Sequence, residues 1–315
     1  MTAPIISPPV ARPLSIGELL DRAVTLFVRN FWLFCGLAAV VYVPLAVVQS
    51  LMADFWLWYG GLMSTIFASG GKMPNLPPNA AMLQRLNAVS LIEVIVWLVA
   101  APLASAALIH AAGRIVCGEP TSFREALRFA VLRWGSVLLF LLLWAFLVVA
   151  ALVAGYVALL LLALLAAAVF HSVILAVILG IAVLLAWLLA ILVAFVAGGV
   201  GFATLMVETG NALRAFAAGL ERAINRASLW RSVVIGLVYG AIAMGFSSVA
   251  YAAGFALLFT LHTGIPMVII ASMTSLVQFG FGLLIMVLYY FDLRIRREGA
   301  DLTTLASQIA ASPAP

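Results

Sequence analysis

A chain of 315 residues that is 66% hydrophobic and only 9% charged, with a mean hydropathy of +1.25, cannot build a water-facing surface, because soluble domains carry about 25% charged residues. Its apolar stretches are continuous rather than alternating, which excludes a membrane barrel and leaves helices to satisfy the backbone in hydrocarbon. The net charge of +5 comes from fifteen Arg and one Lys scattered between apolar stretches, a pattern of membrane orientation that excludes nucleic acid as the partner.

The first fourteen residues contain Pro4, Pro8, Pro9 and Pro13 and no apolar segment, so they read as a flexible tail without a cleavable signal. Residues 15–300 form an all-α membrane domain, and 301–315 a second tail. Six transmembrane helices are expected at 31–52, 89–116, 137–168, 173–206, 232–261 and 266–291, each long enough for the roughly 20 residues that cross hydrocarbon. Residues 135–207 hold no Asp, Glu, Lys or Arg, enough for two long helices or three short ones. Two helices, turning at His171 and Ser172, place fourteen of the sixteen Lys and Arg on one side, counting Arg114 at the end of the second span. The positive-inside rule makes that side, with both termini, cytoplasmic. The abundance of Arg and Ala points to a bacterial source, and hence to the inner membrane.

Residues 53–88 are the one sizeable external segment. Phe55, Trp56, Trp58 and Tyr59 read as an interfacial belt, and 70–78 as a loop. Cys35 and Cys117 fit no metal or redox spacing.

A repeat organises the rest. Ser15 and Glu18 make a capping box, followed by Ile16, Leu19, Leu20, Ala23, Val24 and Phe27 on one face, with Glu18, Asp21, Arg22 and Thr25 opposite. The same arrangement returns 107 residues later: Ser122 and Glu125 form the box, and Phe123, Ala126, Leu127, Ala130, Val131 and Trp134 the face. A looser third copy sets Leu213, Phe216, Ala217, Leu220 and Ile224 against Arg214, Glu221, Arg222 and Asn225. Each copy leads to a Trp at or near the start of an odd-numbered span, namely Trp32, Trp134 and Trp230. The expected plan is a pseudo-threefold unit of cytoplasmic amphipathic surface helix, span and return span. Arg22, Arg124, Arg128, Arg222, Arg294, Arg296 and Arg297 would meet anionic lipids or dock a cytoplasmic protein.

Ionisable groups inside the membrane are functional candidates by default. Glu93 lies four residues into the second span as drawn. His110 and Arg114 share a face at its cytoplasmic end. Gln278, with Ser275, lies deeper in the sixth span, where such groups are more often interhelical glue. Pro44 and Pro102 are positioned to kink their helices and open a cavity. Ala190, Ala194 and Gly198, and Ser232, Gly236 and Gly240, are spaced for close helix packing or a homodimer. No nucleotide-binding loop, zinc-protease motif, nucleophile elbow or metal cluster is present, so neither a metal nor a cofactor nor catalysis is expected.

The opening Leu14-Ser15-Ile16-Gly17-Glu18-Leu19-Leu20-Asp21-Arg22-Ala23, then Arg29-Asn30-Phe31-Trp32, and the run from Tyr289-Tyr290-Phe291-Asp292-Leu293-Arg294 to Asp301-Leu302 resemble the bacterial glycerophosphoryl diester phosphodiesterase membrane domain family. The resemblance covers both ends and the six-span plan. In that family the name comes from fusion to a catalytic barrel. No stretch here holds such a barrel, so the resemblance implies the membrane part without the activity. Arg294, Arg296 and Arg297 are expected to hold the end of the sixth span at the surface, with Asp292 and Glu298 as their partners. Three functions follow as expectations: a scaffold or accessory subunit of a membrane or lipid-related system, a carrier or flippase for a lipid or small amphiphile, and, least supported by motif, a membrane enzyme.

Overall fold

The computed structural model describes residues 13–70, 80–165, 173–226 and 228–298. It is an all-α bundle: α1 (Ile16–Arg29), α2 (Phe31–Ser50), α3 (Ala53–Ala68), α4 (Ala80–Val116), α5 (Phe123–Leu132), α6 (Trp134–Leu165), α7 (Val173–Thr204), α8 (Ala212–Ile224), α9 (Leu229–Leu261) and α10 (Ile265–Glu298). Six helices, α2, α4, α6, α7, α9 and α10, are long and apolar enough to cross a membrane. The protein is thus a multi-pass membrane bundle.

Several boundaries differ from expectation. Residues 80–88, which precede the second span as drawn, are helical and open α4, because the Ala-Ala-Met-Leu-Gln-Arg-Leu run favours helix. The aromatic run at 55–59 is itself helical, in α3. Likewise α10 does not end at Phe291 but continues to Glu298, carrying Arg294, Arg296 and Arg297 within it. The expected loop at 70–78, apart from Gly70, and the turn at His171 and Ser172 lie outside the described residues, as do the two tails, Pro13 and Leu14 aside.

α10 runs through the centre, packing on α1, α2, α4, α7 and α9. The core is concentrated at one end: Leu19 and Phe27 of α1, Phe34 of α2, Ile109 of α4, Phe140 of α6, Val200 of α7 and Tyr290 of α10 all belong to one buried cluster. Farther along the bundle, a second cluster contains only Val41, Leu45, Ala101 and Ala104. α6 and α7 hold each other by exchanged indoles. Trp144 Nε1 donates to Ala194 O at 3.1 Å and Trp187 Nε1 to Ala151 O at 3.0 Å, each ring lying where Gly198 or Gly155 leaves no side chain. Such bonds satisfy indole N–H groups that hydrocarbon cannot.

The helices α1, α5 and α8 are capped differently. Ser15 and Glu18 form the full reciprocal box at α1. At α5, Ser122 accepts from Glu125 N, but the Glu125 carboxylate turns to Arg114, so only half the box is made. α8 is capped by Asn211, which accepts from Leu213 N and Arg214 N at 3.1 and 3.2 Å. The buried face of α8 also differs from expectation. It consists of Ala212, Ala215, Gly219 and Ala223, while Leu213 and Ile224 are 61% and 50% exposed.

Candidate functional site

Beyond the packed end, the helices part around a cavity of about 760 Å³ between α4, α6, α7 and α10. Its floor is made by residues that the core immobilises, Phe140, Phe202 and Met286. Its wall on α4 carries Ser90, Glu93, Val94, Trp97, Ala101 and Ser105, spaced so that one helical face looks inward. Pro102 lines it as well. The lining is exposed at Ser90, Trp97, Leu98 and Leu142 and buried at Ser105 and Met286, so the cavity is closed by the core at one end and open on its flank. Glu93 and Ser105 are twelve positions apart, about 18 Å along the helix axis.

Glu93 lies thirteen positions from the start of α4, about 20 Å along the axis, the first nine of those positions preceding the second span as drawn. Among the described residues it is the one charged residue in the lining. Among the described residues it has no hydrogen-bond or salt-bridge partner, and Ser105, although buried, has none either. Tyr239, on α9, reaches the cavity and donates from its hydroxyl to Gln278 O at 3.2 Å.

Gln278 itself is not in the lining. Its Nε2 donates to Ala243 O at 2.9 Å and Ser247 Oγ at 2.8 Å, joining α9 to α10. Bonds of this kind average about 0.6 kcal/mol each in membrane bundles. Gln278→Leu is therefore expected to cost about 1 kcal/mol of stability, seen as a lower unfolding midpoint, and to leave any ligand carried in the cavity in place. Nor do His110 and Arg114 form a joint site: the His110 ring stacks on Phe129 at 3.8 Å, while Arg114 pairs with Glu119 at 3.1 Å and with Glu125.

The seven Arg residues expected to meet anionic lipid or a cytoplasmic protein divide into two sets. Arg22, Arg124 and Arg128 form no ion pair among the described residues, and the last two are exposed. The others are engaged by carboxylates of the chain itself. Arg297 pairs with Glu221 of α8 at 3.2 Å. Arg222 lies 3.1 Å from Glu208, donates to Thr204 Oγ1 at 2.8 Å and covers the Tyr290 ring at 5.5 Å. Arg294 approaches the same carboxylate at 3.9 Å, and Tyr290 Oη donates to it at 2.5 Å.

Glu208 stands in a π-turn, Leu205–Thr209, which Gly210 ends at φ 63°. Its side chain is 21% exposed although the backbone there is open. A second network, at the α10 end, surrounds the fully buried Asp292, with Arg231 at 2.9 Å and Arg296 at 3.0 Å. Sequence reasoning missed Glu208 and Arg231 because each looks like an ordinary charge beside a span.

No family model, curated protein or solved structure matches this chain. What its residues can do follows from their geometry. Among the described residues no group of three or more His, Cys, Asp or Glu could hold a metal ion. The thiols of Cys35 and Cys117 are free, and burial together with Glu119 pushes the Cys117 thiol up, away from the thiolate form that reacts.

Proposed function

We propose that this protein is a non-enzymatic multi-pass protein of the bacterial inner membrane, with both termini cytoplasmic, that carries a lipid or small amphiphile. The observation behind this reading is the flank-open cavity of about 760 Å³, which falls within the roughly 300–1,000 Å³ of small-molecule sites. It is overwhelmingly apolar, with Ser90 and Glu93 one turn apart on α4 as its polar end, a distribution that suits a molecule with a chain and a head. This favours carriage over a scaffold role, for which the exposed Arg124 and Arg128 are the remaining support.

The orientation is supported by the position of the Arg residues. α1, α5 and α8 turn large apolar residues outward, among them Val28 at 67%, Val131 at 61% and Leu213 at 61% exposed, as helices half-sunk in an anionic leaflet would. Membership in the glycerophosphoryl diester phosphodiesterase membrane domain family remains part of the proposal. Its support is that the two stretches carrying the resemblance meet in space, at Leu14 and Asp292.

Native mass spectrometry of the protein, gently extracted from its own membrane, tests carriage. The expected spectrum shows one retained amphiphile per chain, lost when Leu98→Trp and Leu142→Trp together narrow the open flank. A chain that retains no lipid but brings a stoichiometric protein partner would replace this reading with the scaffold.

A further inference from the structure

We infer that the cavity selects amphiphiles whose head is a cation, an amine or ammonium group, bound at Glu93. This rests on the carriage reading and specifies its ligand. A carboxylate facing an apolar cavity is costly to hold in its charged form unless something compensates it. Elsewhere in this chain the compensation is internal: Asp292 has Arg231 and Arg296, and Glu208 has Arg222 and Arg294. Glu93 alone among these faces a cavity, with no Arg, Lys or His in the lining and no polar partner among the described residues. The missing counter-charge is therefore supplied by the ligand.

The surroundings of Glu93 fit that head. Ser90 lies one turn before it and Trp97 one turn after, all three in the lining. A carboxylate accepts hydrogen bonds from an ammonium, a serine oxygen accepts another, and an indole face attracts the same cation. A head carrying only phosphate or sulfate would meet the carboxylate with no cation to offset it, which selects against such ligands. From Glu93 the lining runs about 18 Å along the axis, past Val94 and Ala101, to the core-held floor at Met286. A chain laid along it leaves the head at Glu93.

Native mass spectrometry in neutral maltoside micelles, titrating dodecylammonium, dodecanol, dodecyl sulfate and a lysophosphatidylethanolamine, tests this. The ammonium is expected to bind about tenfold to a hundredfold tighter than the alcohol, the span of a charge-assisted hydrogen bond. Glu93→Gln is expected to abolish that difference while the variant still retains dodecanol along the apolar lining, and an unfolding midpoint within about 0.5 kcal/mol of wild type shows that it is folded. Glu93→Asp should restore part of it. Binding of the lysolipid with the same Glu93 dependence would assign the amine to a membrane lipid; binding of the simple ammonium alone would assign it to a free cationic amphiphile. Equal binding of ammonium, alcohol and sulfate, or a preference that survives Glu93→Gln, would overturn the head assignment and leave carriage standing. Binding of none of the four to the wild-type chain would overturn carriage itself.

Discussion

Asp292→Ala is expected to lower stability by about 3–5 kcal/mol, the range for removing one partner of a buried ion pair. The side chain is 0% exposed, and both oxygens are used. Oδ1 accepts from Leu14 N at 2.8 Å, and Oδ2 faces Arg231 and Arg296 at 2.9 and 3.0 Å. Those guanidinium groups also donate to Leu14 O, at 2.5 and 2.9 Å. The peptide of Leu14 is thus held at both its N–H and its carbonyl by the start of α9 and the end of α10. Without the carboxylate, two like charges are left side by side and the N–H loses its acceptor. Most of the cost falls on Arg231, which is 19% exposed; Arg296, at 38%, is better screened by water.

The loss should be visible in two ways: a lower thermal midpoint in micelles, and faster proteolysis between Leu14 and Arg29, because α1 loses the anchor that precedes its cap. A variant within about 0.5 kcal/mol of wild type, the ordinary range for surface substitutions, would show that the network carries no stability.

The spans were legible because hydropathy reports directly on hydrocarbon. Phe31, Trp134 and Leu229 begin their helices beside the predicted Trp positions, and the uncharged run 135–207 does contain two long helices. Helix ends were less legible. Hydropathy marks where lipid ends, whereas α4 and α10 continue past that point. Arg85 and Arg294 are good helix formers, and an Asp292 to Arg296 pair across one turn supports the last stretch.

The face of α8 was misread for a different reason. In a soluble protein the large apolar residues turn inward, but beside a membrane both sides of a surface helix are apolar. Size then distinguishes the faces better than polarity does. Ala212, Ala215, Gly219 and Ala223 are spaced as one stripe, and that stripe is what α7 accepts. The cavity was foreshadowed only by Pro102 and Glu93. Its shape depends on α6 and α7 reaching α4 and α10, which no local pattern encodes. The partners of Glu208 are likewise invisible in sequence: Arg222 lies fourteen residues away and Tyr290 eighty-two.

That stripe yields the second large effect, at Gly219. A Cβ added there would lie 2.5 Å from Gly201 Cα, 2.7 Å from Gly201 N and 2.8 Å from Ala197 O. All three atoms are backbone, so no rotamer change can make room, and α8 must move away from α7. Gly219→Ala is expected to cost about 1–3 kcal/mol from overpacking, exceeding the gain of up to about 1 kcal/mol from replacing glycine in a helix. Gly219→Leu should cost more. Gly17, in the first turn of α1, has nothing within 4 Å of an added Cβ, so Gly17→Ala should keep the propensity gain and raise the unfolding midpoint. Opposite shifts of the two variants would place the effect in the α7–α8 contact. α7 also carries Gly199 and Phe202 into the cavity, so the displacement at Gly219 should weaken amphiphile retention as well, from a residue that touches no ligand. Unaltered stability and retention in Gly219→Leu would mean that α8 does not set the position of α7.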